Sequence, residues 1–201
     1  VTMSLFDNEN INILPYDGTA IYFGKIFSEQ EASRYFDLLQ KTITWKNDEA
    51  IIYGKHLVTK RKVAWYGEKN FAYTYSNTTK KAMSFTKELL TIKSKAEEVS
   101  KTIFNSCLLN LYHNGDESMA YHSDDEKSLG ENTVIASISF GAERNFYFKH
   151  KQTSEVISIS LEHGSLLLMK DTTQTNWLHA LPKSKKITSP RINLTFRTFY
   201  K

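Results

Sequence analysis

Between Leu108 and Phe199, short runs of aliphatic, β-branched and aromatic residues are separated by turn residues at almost every step. This punctuation constrains the fold more than any other feature of the chain. The runs are Leu108–Tyr112, Val134–Phe140, Arg144–Lys149, Val156–Leu161, Ser165–Met169 and Arg191–Phe199. Asn114-Gly115, Gly141-Ala142 and His163-Gly164 mark turns between them. A series of short strands at this spacing closes into a sandwich or a barrel, where strand edges find partners.

Upstream the periodicity changes. Ser28 and Glu31 have capping-box spacing, and Ala32, Tyr35, Phe36, Leu38 and Leu39 share one face of a helix predicted over residues 28–45. Leu89, Leu90, Ile92, Ala96, Val99, Ile103 and Phe104 predict a second helix from Thr86 to Asn105. Between them, Ile51-Ile52-Tyr53, Val63-Ala64-Trp65-Tyr66 and Phe71-Ala72-Tyr73-Thr74-Tyr75 read as strands, with Gly54 and Gly67 at turns. The expected class is α+β, mainly β, with two helices supporting the sheet.

Composition bounds the rest. A chain of 201 residues, 40% hydrophobic and 13% aromatic, can bury one sizeable core, and its length does not ask for a second domain. The single cysteine, Cys107, excludes an internal disulfide or a thiolate cluster. Beside Leu108-Leu109 it reads as a small buried apolar residue in a reducing, cytoplasmic setting. No stretch approaches the roughly 18 apolar residues of a membrane-spanning helix. The N-terminus has no basic segment leading into an apolar signal core, so export is not expected. A native start is expected at Met3, with Val1-Thr2 as a remnant ahead of it.

The net charge of +4 is modest, and its distribution says more than its size. Lys55, Lys60, Arg61 and Lys62 crowd one short stretch, and Lys80, Lys81, Lys87, Lys93 and Lys95 follow. Lys149, His150 and Lys151, then Lys183, Lys185 and Lys186, form later clusters. A nucleic-acid surface and an ordinary solvated helix face both fit the second group.

Two imidazoles and one carboxylate stand out as ligands: His122-Ser123-Asp124 and the distant His179. With no fourth protein ligand, such a set holds a metal from one side. It suits ferrous iron with open positions better than a closed zinc site. His122 and Asp124 are two residues apart, so in an extended segment both reach one ion. His56, His113, His150 and His163 are read as surface or satisfied core histidines.

The segment Arg191-Ile192-Asn193-Leu194-Thr195-Phe196-Arg197 alternates polar and apolar residues, so one face carries two guanidiniums. Inward-facing arginines need an anion, and a dicarboxylate cosubstrate that also chelates iron would meet them with bidentate hydrogen bonds. Structural pairing with Asp or Glu is the alternative.

These motifs carry a specific resemblance. Asn110-Leu111-Tyr112, Gly115, Met119, His122-Ser123-Asp124-Asp125-Glu126, Ala136–Gly141, His163–Leu166, His179–Pro182 and Arg191–Arg197 resemble, in order and spacing, the AlkB family of Fe(II)/2-oxoglutarate-dependent nucleic-acid demethylases. The resemblance implies a double-stranded β-helix, or jelly-roll, core over residues 106–201 and iron on His122, Asp124 and His179. It also implies a 2-oxoglutarate site built from Asn110, Tyr112, Arg191, Asn193 and Arg197. In such enzymes 2-oxoglutarate and O2 become succinate and CO2, and an N-methyl group on 1-methyladenine or 3-methylcytosine leaves as formaldehyde.

A methyl on a Watson–Crick nitrogen is hidden in a duplex, so the base must be flipped or arrive single-stranded. The lysines and aromatics of residues 46–80 resemble the family's nucleotide-recognition lid. By that resemblance, Tyr75 and His122 sandwich the base, and Tyr73 and Glu126 hydrogen-bond it. Arg61 and Ser76 lie in the same substrate-binding segments, and Tyr53 sits where duplex-acting members place an aromatic finger. Arg144–Lys151 resembles a basic segment that contacts DNA, although Phe146 and Phe148 equally mark a core face. The implied partner is DNA or RNA, and the implied protein is a monomer in the cytoplasm, or in the nucleus of a eukaryote. Two rival functions share parts of this site: an oxygenase acting on protein side chains or metabolites, and a metal-binding barrel without turnover.

Overall fold

The computed structural model describes residues 11–52, 55–68, 71–75 and 78–200. The elements begin with β1 (Thr19–Lys25), α1 (Glu29–Thr42), β2 (Lys46–Ile52), β3 (Lys55–Gly67), β4 (Ala72–Tyr75), β5 (Thr78–Lys81), β6 (Met83–Ser84) and α2 (Lys87–Ser100). They continue with β7 (Ser106–Tyr112), β8 (Met119–His122), β9 (Ile135–Gly141), β10 (Arg144–His150), β11 (Val156–Leu161) and β12 (Ser165–Lys170). The last are α3 (Thr173–Asn176), β13 (Trp177–Leu181) and β14 (Arg191–Arg197).

Three layers result. The major sheet runs β1-β12-β9-β14-β7-β3-β2, with β6 beside β3, and the minor sheet runs β11-β10-β13-β8. Along β14, Ile192, Leu194 and Phe196 join Leu109, Leu111, Ile138 and Phe140 in a core against α1 and α2. The opposite face of the major sheet meets the minor sheet, where Leu167 and Met169 pack with Phe148, Leu161 and Trp177. Strict alternation on β14 therefore sends its apolar residues to the helices and its polar ones into the space between the sheets. This is the double-stranded β-helix expected from the sequence.

The first helix begins as its residues dictate. The Glu31 N–H donates to Ser28 Oγ at 3.3 Å, and Glu31 Oε2 accepts from the Ser28 N–H at 3.0 Å, closing the capping box. Its Ala32, Tyr35 and Leu39 are buried. Two turns pass beneath it. Gly164, at φ +79°, would place a Cβ 3.0 Å from that of Ala32, and Gly141, at φ +86°, would meet Phe36 at 2.6 Å. Both turns need a residue that tolerates a positive φ and carries no side chain.

The second helix is shorter than its apolar spacing predicts. Lys101 adopts a left-handed conformation, φ 55°, and ends it after Ser100. Phe104 then turns back into the core, its N–H donating to Glu97 Oε1 at 2.8 Å, whereas Ile103 is 73% exposed. Lys93, in the run that reads as a solvated face, is buried between Glu97 at 2.8 Å and Glu68 at 3.0 Å. It docks α2 onto the end of β3. Cys107 is fully buried in the helix-side core, where desolvation pushes its thiol pKa well up.

The region between the helices is more continuous than the sequence suggests. Residues 63–66 are one part of the long β3, whose inner half pairs with β7 and whose outer half pairs only with β2. The edge strand β1, paired with β12, is not evident from the residue pattern. No helix among the described residues is long and apolar enough to cross a membrane.

Candidate metal centre and anion pocket

The three candidate ligands come together in the minor sheet. His122 on β8 is the direct cross-strand partner of His179 on β13, with ring centres 4.3 Å apart. Ligand atoms of His122, Asp124 and His179 all lie within 4.8 Å of one another. Asp124 stands just past the end of β8, where its N–H donates to Gln174 Oε1 at 2.9 Å. That bond across to α3, rather than strand alternation, turns the carboxylate toward the imidazoles.

Each ligand is prepared by its neighbours. His122 Nδ1 lies 2.8 Å from the Ala120 carbonyl, so Nδ1 carries the proton and Nε2 keeps its lone pair. Burial drives the His179 pKa down to about 3, leaving that ring neutral, and Phe146 stacks on it at 5.5 Å. Burial pushes the Asp124 carboxyl up, but the charge and hydrogen bond of the Arg197 guanidinium oppose it, and the group lies below the usual carboxylate range. Arg197 Nη2 donates to Asp124 Oδ2 at 2.8 Å, while Oδ1 faces His122 Nε2 at 3.8 Å. Two imidazole nitrogens and one carboxylate oxygen thus point to a single place from one side, a donor set that fits Fe(II) with positions left open.

Facing them across the fold is the polar side of β14. Arg191 is 3% exposed and donates through Nη2 to Ser139 Oγ at 2.9 Å, while its Nε has no partner. Its guanidinium lies 5.6 Å from the centre of the Tyr112 ring. Burial lowers its pKa to about 10, which leaves it charged at neutral pH. Among the described residues no carboxylate forms an ion pair with it. A buried cation without a counter-ion is costly, and a guanidinium with a free Nε fits an anionic ligand such as a dicarboxylate. Arg197, the other guanidinium of the strand, is already paired with Asp124. Its buried Nε, like that of Arg191, has no hydrogen-bond partner among the described residues, and its side chain lines the same cavity.

Asn193 is largely committed within the protein: its amide donates to Ser137 Oγ at 2.8 Å and to the Ile138 carbonyl at 3.1 Å, and it accepts from Thr195. Asn110 and Tyr112, on β7 beside β14, are 4% and 3% exposed. Together with the triad, Arg191, Asn193 and Arg197, they line one cavity of about 210 Å³. Glu126 lies on its wall and also on that of an adjoining cavity of about 220 Å³ lined by Trp65, Leu108, Leu129 and Phe199.

The outer residues are placed differently from one another. Arg61 is buried and bonds Asp48 and Asn110, which sets it behind the cavity wall. Arg144, first residue of the supposed basic segment, is 3% exposed and donates to the carbonyls of Asn114, Glu117 and Pro182. It clamps loops together and offers no surface to a polyanion. Phe148 is core, whereas Lys149 lies over the exposed Tyr121 ring. Tyr53 and Ser76 lie outside the described residues. Tyr73 and Tyr75 belong to β4, and their side chains are likewise outside the described set.

One residue of the site carries no sequence signal of its own. Gln174 reaches the site only through the fold, and nothing in its spacing announces it, whereas Ser139 lies within the Ala136–Gly141 motif but its bond to Arg191 is set by strand pairing. His56, His113 and His163 take up structural partners, Glu49, Glu117 and the Gly141 N–H. His150 packs between Tyr16 and Trp177.

A facial triad and a buried arginine in one jelly-roll cavity define a Fe(II)/2-oxoglutarate oxygenase centre. Comparison with known proteins agrees: the sequence profile of the 2OG-Fe(II) oxygenase superfamily matches residues 19–197. DNA oxidative demethylase ALKBH2 of Mus musculus is 35% identical over 90% of this chain and 80% of its own length. Alpha-ketoglutarate-dependent dioxygenase alkB homolog 3 of Homo sapiens is 40% identical over 85% of this chain and 63% of its own. The solved structure of OsALKBH1 superposes with a TM-score of 0.62 at 16% identity, over 89% of this chain and 97% of that one. The chain belongs to the AlkB family of 2OG-Fe(II) oxygenases.

Proposed function

We propose that the protein repairs alkylated nucleic acid by oxidative demethylation of N-methylated bases, using Fe(II), 2-oxoglutarate and O2. The observation that carries the reading is Arg191, a buried cation with no acidic partner among the described residues, in the same cavity as the triad. Relatives named as DNA oxidative demethylases supply the substrate class.

Each side chain has a task in that scheme. His122 Nε2, His179 and Asp124 would hold the metal, while Arg197 donates to Asp124 Oδ2 and keeps the carboxylate in place. Arg191 would take the distal carboxylate of 2-oxoglutarate, with Asn110 and Tyr112 lining the same cavity. The iron and cosubstrate supply an oxidation that hydroxylates the N-methyl carbon, and the resulting hemiaminal releases formaldehyde. The protein contributes positioning and water exclusion. Glu126, two residues beyond Asp124, reaches for the base edge from the cavity wall, so recognition and metal binding share one short segment.

Tyr73, Tyr75 and Ser76 complete the base pocket in this reading, Tyr53 fills the gap left by a flipped base, and the protein acts as a monomer. Family resemblance supports these roles. The test incubates the protein with Fe(II), 2-oxoglutarate and ascorbate and with oligonucleotides carrying 1-methyladenine or 3-methylcytosine, as single-stranded DNA, duplex DNA and RNA. Mass spectrometry should show loss of the methyl group with matching succinate. Succinate release without demethylation of any of them would refute the substrate class, and no succinate at all would refute the oxygenase.

A further inference from the structure

Arg61 stands where the outer hairpin leaves the major sheet. Strand β3 pairs with β7 only from Lys62 onward, while residues 55–58 pair with β2 alone. At the junction the register slips: Asn47 faces Lys62 and Glu49 faces Val58, so Thr59, Lys60 and Arg61 stand opposite Asp48. An insertion of this kind bends a strand and re-aims a side chain. It is fastened by Asn47 Nδ2 donating to the Thr59 carbonyl at 3.0 Å and by the Thr59 hydroxyl donating to the Arg61 carbonyl at 2.9 Å.

The re-aimed side chain ties three strands together. One terminal nitrogen of Arg61 donates to Asp48 on β2, and the other donates to the side-chain carbonyl of Asn110 on β7. The guanidinium also lies 5.9 Å from the centre of the Tyr112 ring, which Arg191 approaches at 5.6 Å. With its oxygen held by Arg61, the Asn110 amide keeps its NH2 group for a second partner. Asn110 and Tyr112 line the cavity of the triad, whereas Asp48 belongs to the hairpin. An anion that fixes Asn110 and Tyr112 therefore fixes Arg61, and through it Asp48.

We propose that Arg61 is a positioning residue that couples cosubstrate occupancy to the stance of the β2–β3 hairpin, so that bound 2-oxoglutarate strengthens the hairpin's grip on nucleic acid. The inference rests on the reading of this site as a 2-oxoglutarate oxygenase acting on nucleic acid. Arg61 acts through Asn110 and Asp48 and needs no contact with the base.

Linkage makes this measurable, because the factor by which cosubstrate tightens nucleic acid must equal the factor by which nucleic acid tightens cosubstrate. The full chain is loaded with Mn(II), which supports binding without turnover. A fluorescent 1-methyladenine oligonucleotide is titrated with and without 2-oxoglutarate, and 2-oxoglutarate is titrated calorimetrically with and without the oligonucleotide. Wild type is expected to give one factor of about fivefold or more in both titrations. Arg61→Lys and Asp48→Asn should bring it to about one, the value for uncoupled sites. Asp48 is 22% exposed, so its variant places less demand on the fold than the arginine change does.

A merely structural Arg61 lowers both affinities and leaves the factor as it was. An unchanged factor in either folded variant, or a wild-type factor of about one, overturns the proposal and leaves the functional reading standing. A wild-type protein that binds no methylated oligonucleotide overturns both.

Discussion

Arg197 and Asp124 form a 2.8 Å ion pair with side chains 15% and 6% exposed, and this pair joins the last strand of the major sheet to the metal ligands of the minor one. The arginine holds the carboxylate ionised and takes one of its oxygens, leaving the other for a metal. Removing it leaves a buried carboxylate alone among imidazoles. Arg197→Ala should therefore destabilise the metal-free protein by about 3–5 kcal/mol, the usual result of breaking a buried pair. Added Mn(II) should recover part of that loss by supplying the missing positive charge. Thermal unfolding with and without Mn(II) reads both effects, and a variant as stable as wild type without metal would contradict the role.

Gln174 controls the metal without touching it. Its side-chain oxygen accepts from the Asp124 N–H at 2.9 Å, in a turn that the Ser123 hydroxyl also braces by donating to Asp125 Oδ2 at 3.2 Å. Gln174→Ala should weaken metal affinity by about 10–100-fold, the range found for groups that orient ligands. Gln174→Glu, which keeps an acceptor in place, should recover most of it. Competition with a chelating dye measures the affinity directly, and equal loss in both variants would argue against the hydrogen bond.

Arg191 separates stability from function. As a buried cation without a carboxylate partner among the described residues, it costs the empty protein free energy, so Arg191→Met should leave unfolding in the absence of cosubstrate unchanged or slightly raised. The same change should weaken 2-oxoglutarate by about 2 kcal/mol or more, close to 30-fold, because a charged hydrogen-bonding partner is gone. Calorimetry of 2-oxoglutarate with the Mn(II) form, together with unfolding of the free protein, tests the two signs independently. A large loss of stability without loss of affinity would reverse the assignment.

His163 predicts a pH dependence at the turn beneath α1. Its Nδ1 accepts the Gly141 N–H at 2.8 Å, so the bond requires the neutral ring. Burial lowers its pKa, with Glu29 opposing and Lys25 assisting. A histidine depressed in the folded state contributes stability that is present above its unfolded pKa and lost as pH falls below about 6.5. Wild type should lose more stability than His163→Gln between pH of about 7.5 and 5.5, since glutamine offers an acceptor that does not titrate in this range. Parallel unfolding curves for the two proteins would rule the contribution out.

Much of the architecture was legible because it is local. The capping box at Ser28 and Glu31, the turns at Gly141 and Gly164 and the alternation on β14 each act within a few residues, and each appears as predicted. The second helix ends short of its apolar spacing, which continues to Phe104, because the left-handed Lys101 that stops it carries no pattern of its own. Edge strand β1 is not legible in the sequence because its partners on β12 lie far away along the chain.

The site divides along the same line. Sequence alone determined the chemical types: His122, Asp124 and His179 as ligands, and polar groups on one face of Arg191–Arg197, since ligand identity and strand alternation are properties of the chain itself. Tertiary structure decided what each group does. It placed His122 opposite His179, gave Asp124 to Arg197, left Arg191 without a counter-ion among the described residues, and drew Arg61 inward to Asn110. Charge and hydrogen-bonding capacity are written in residues, but which donor meets which acceptor depends on strands that the fold brings together from distant parts of the chain.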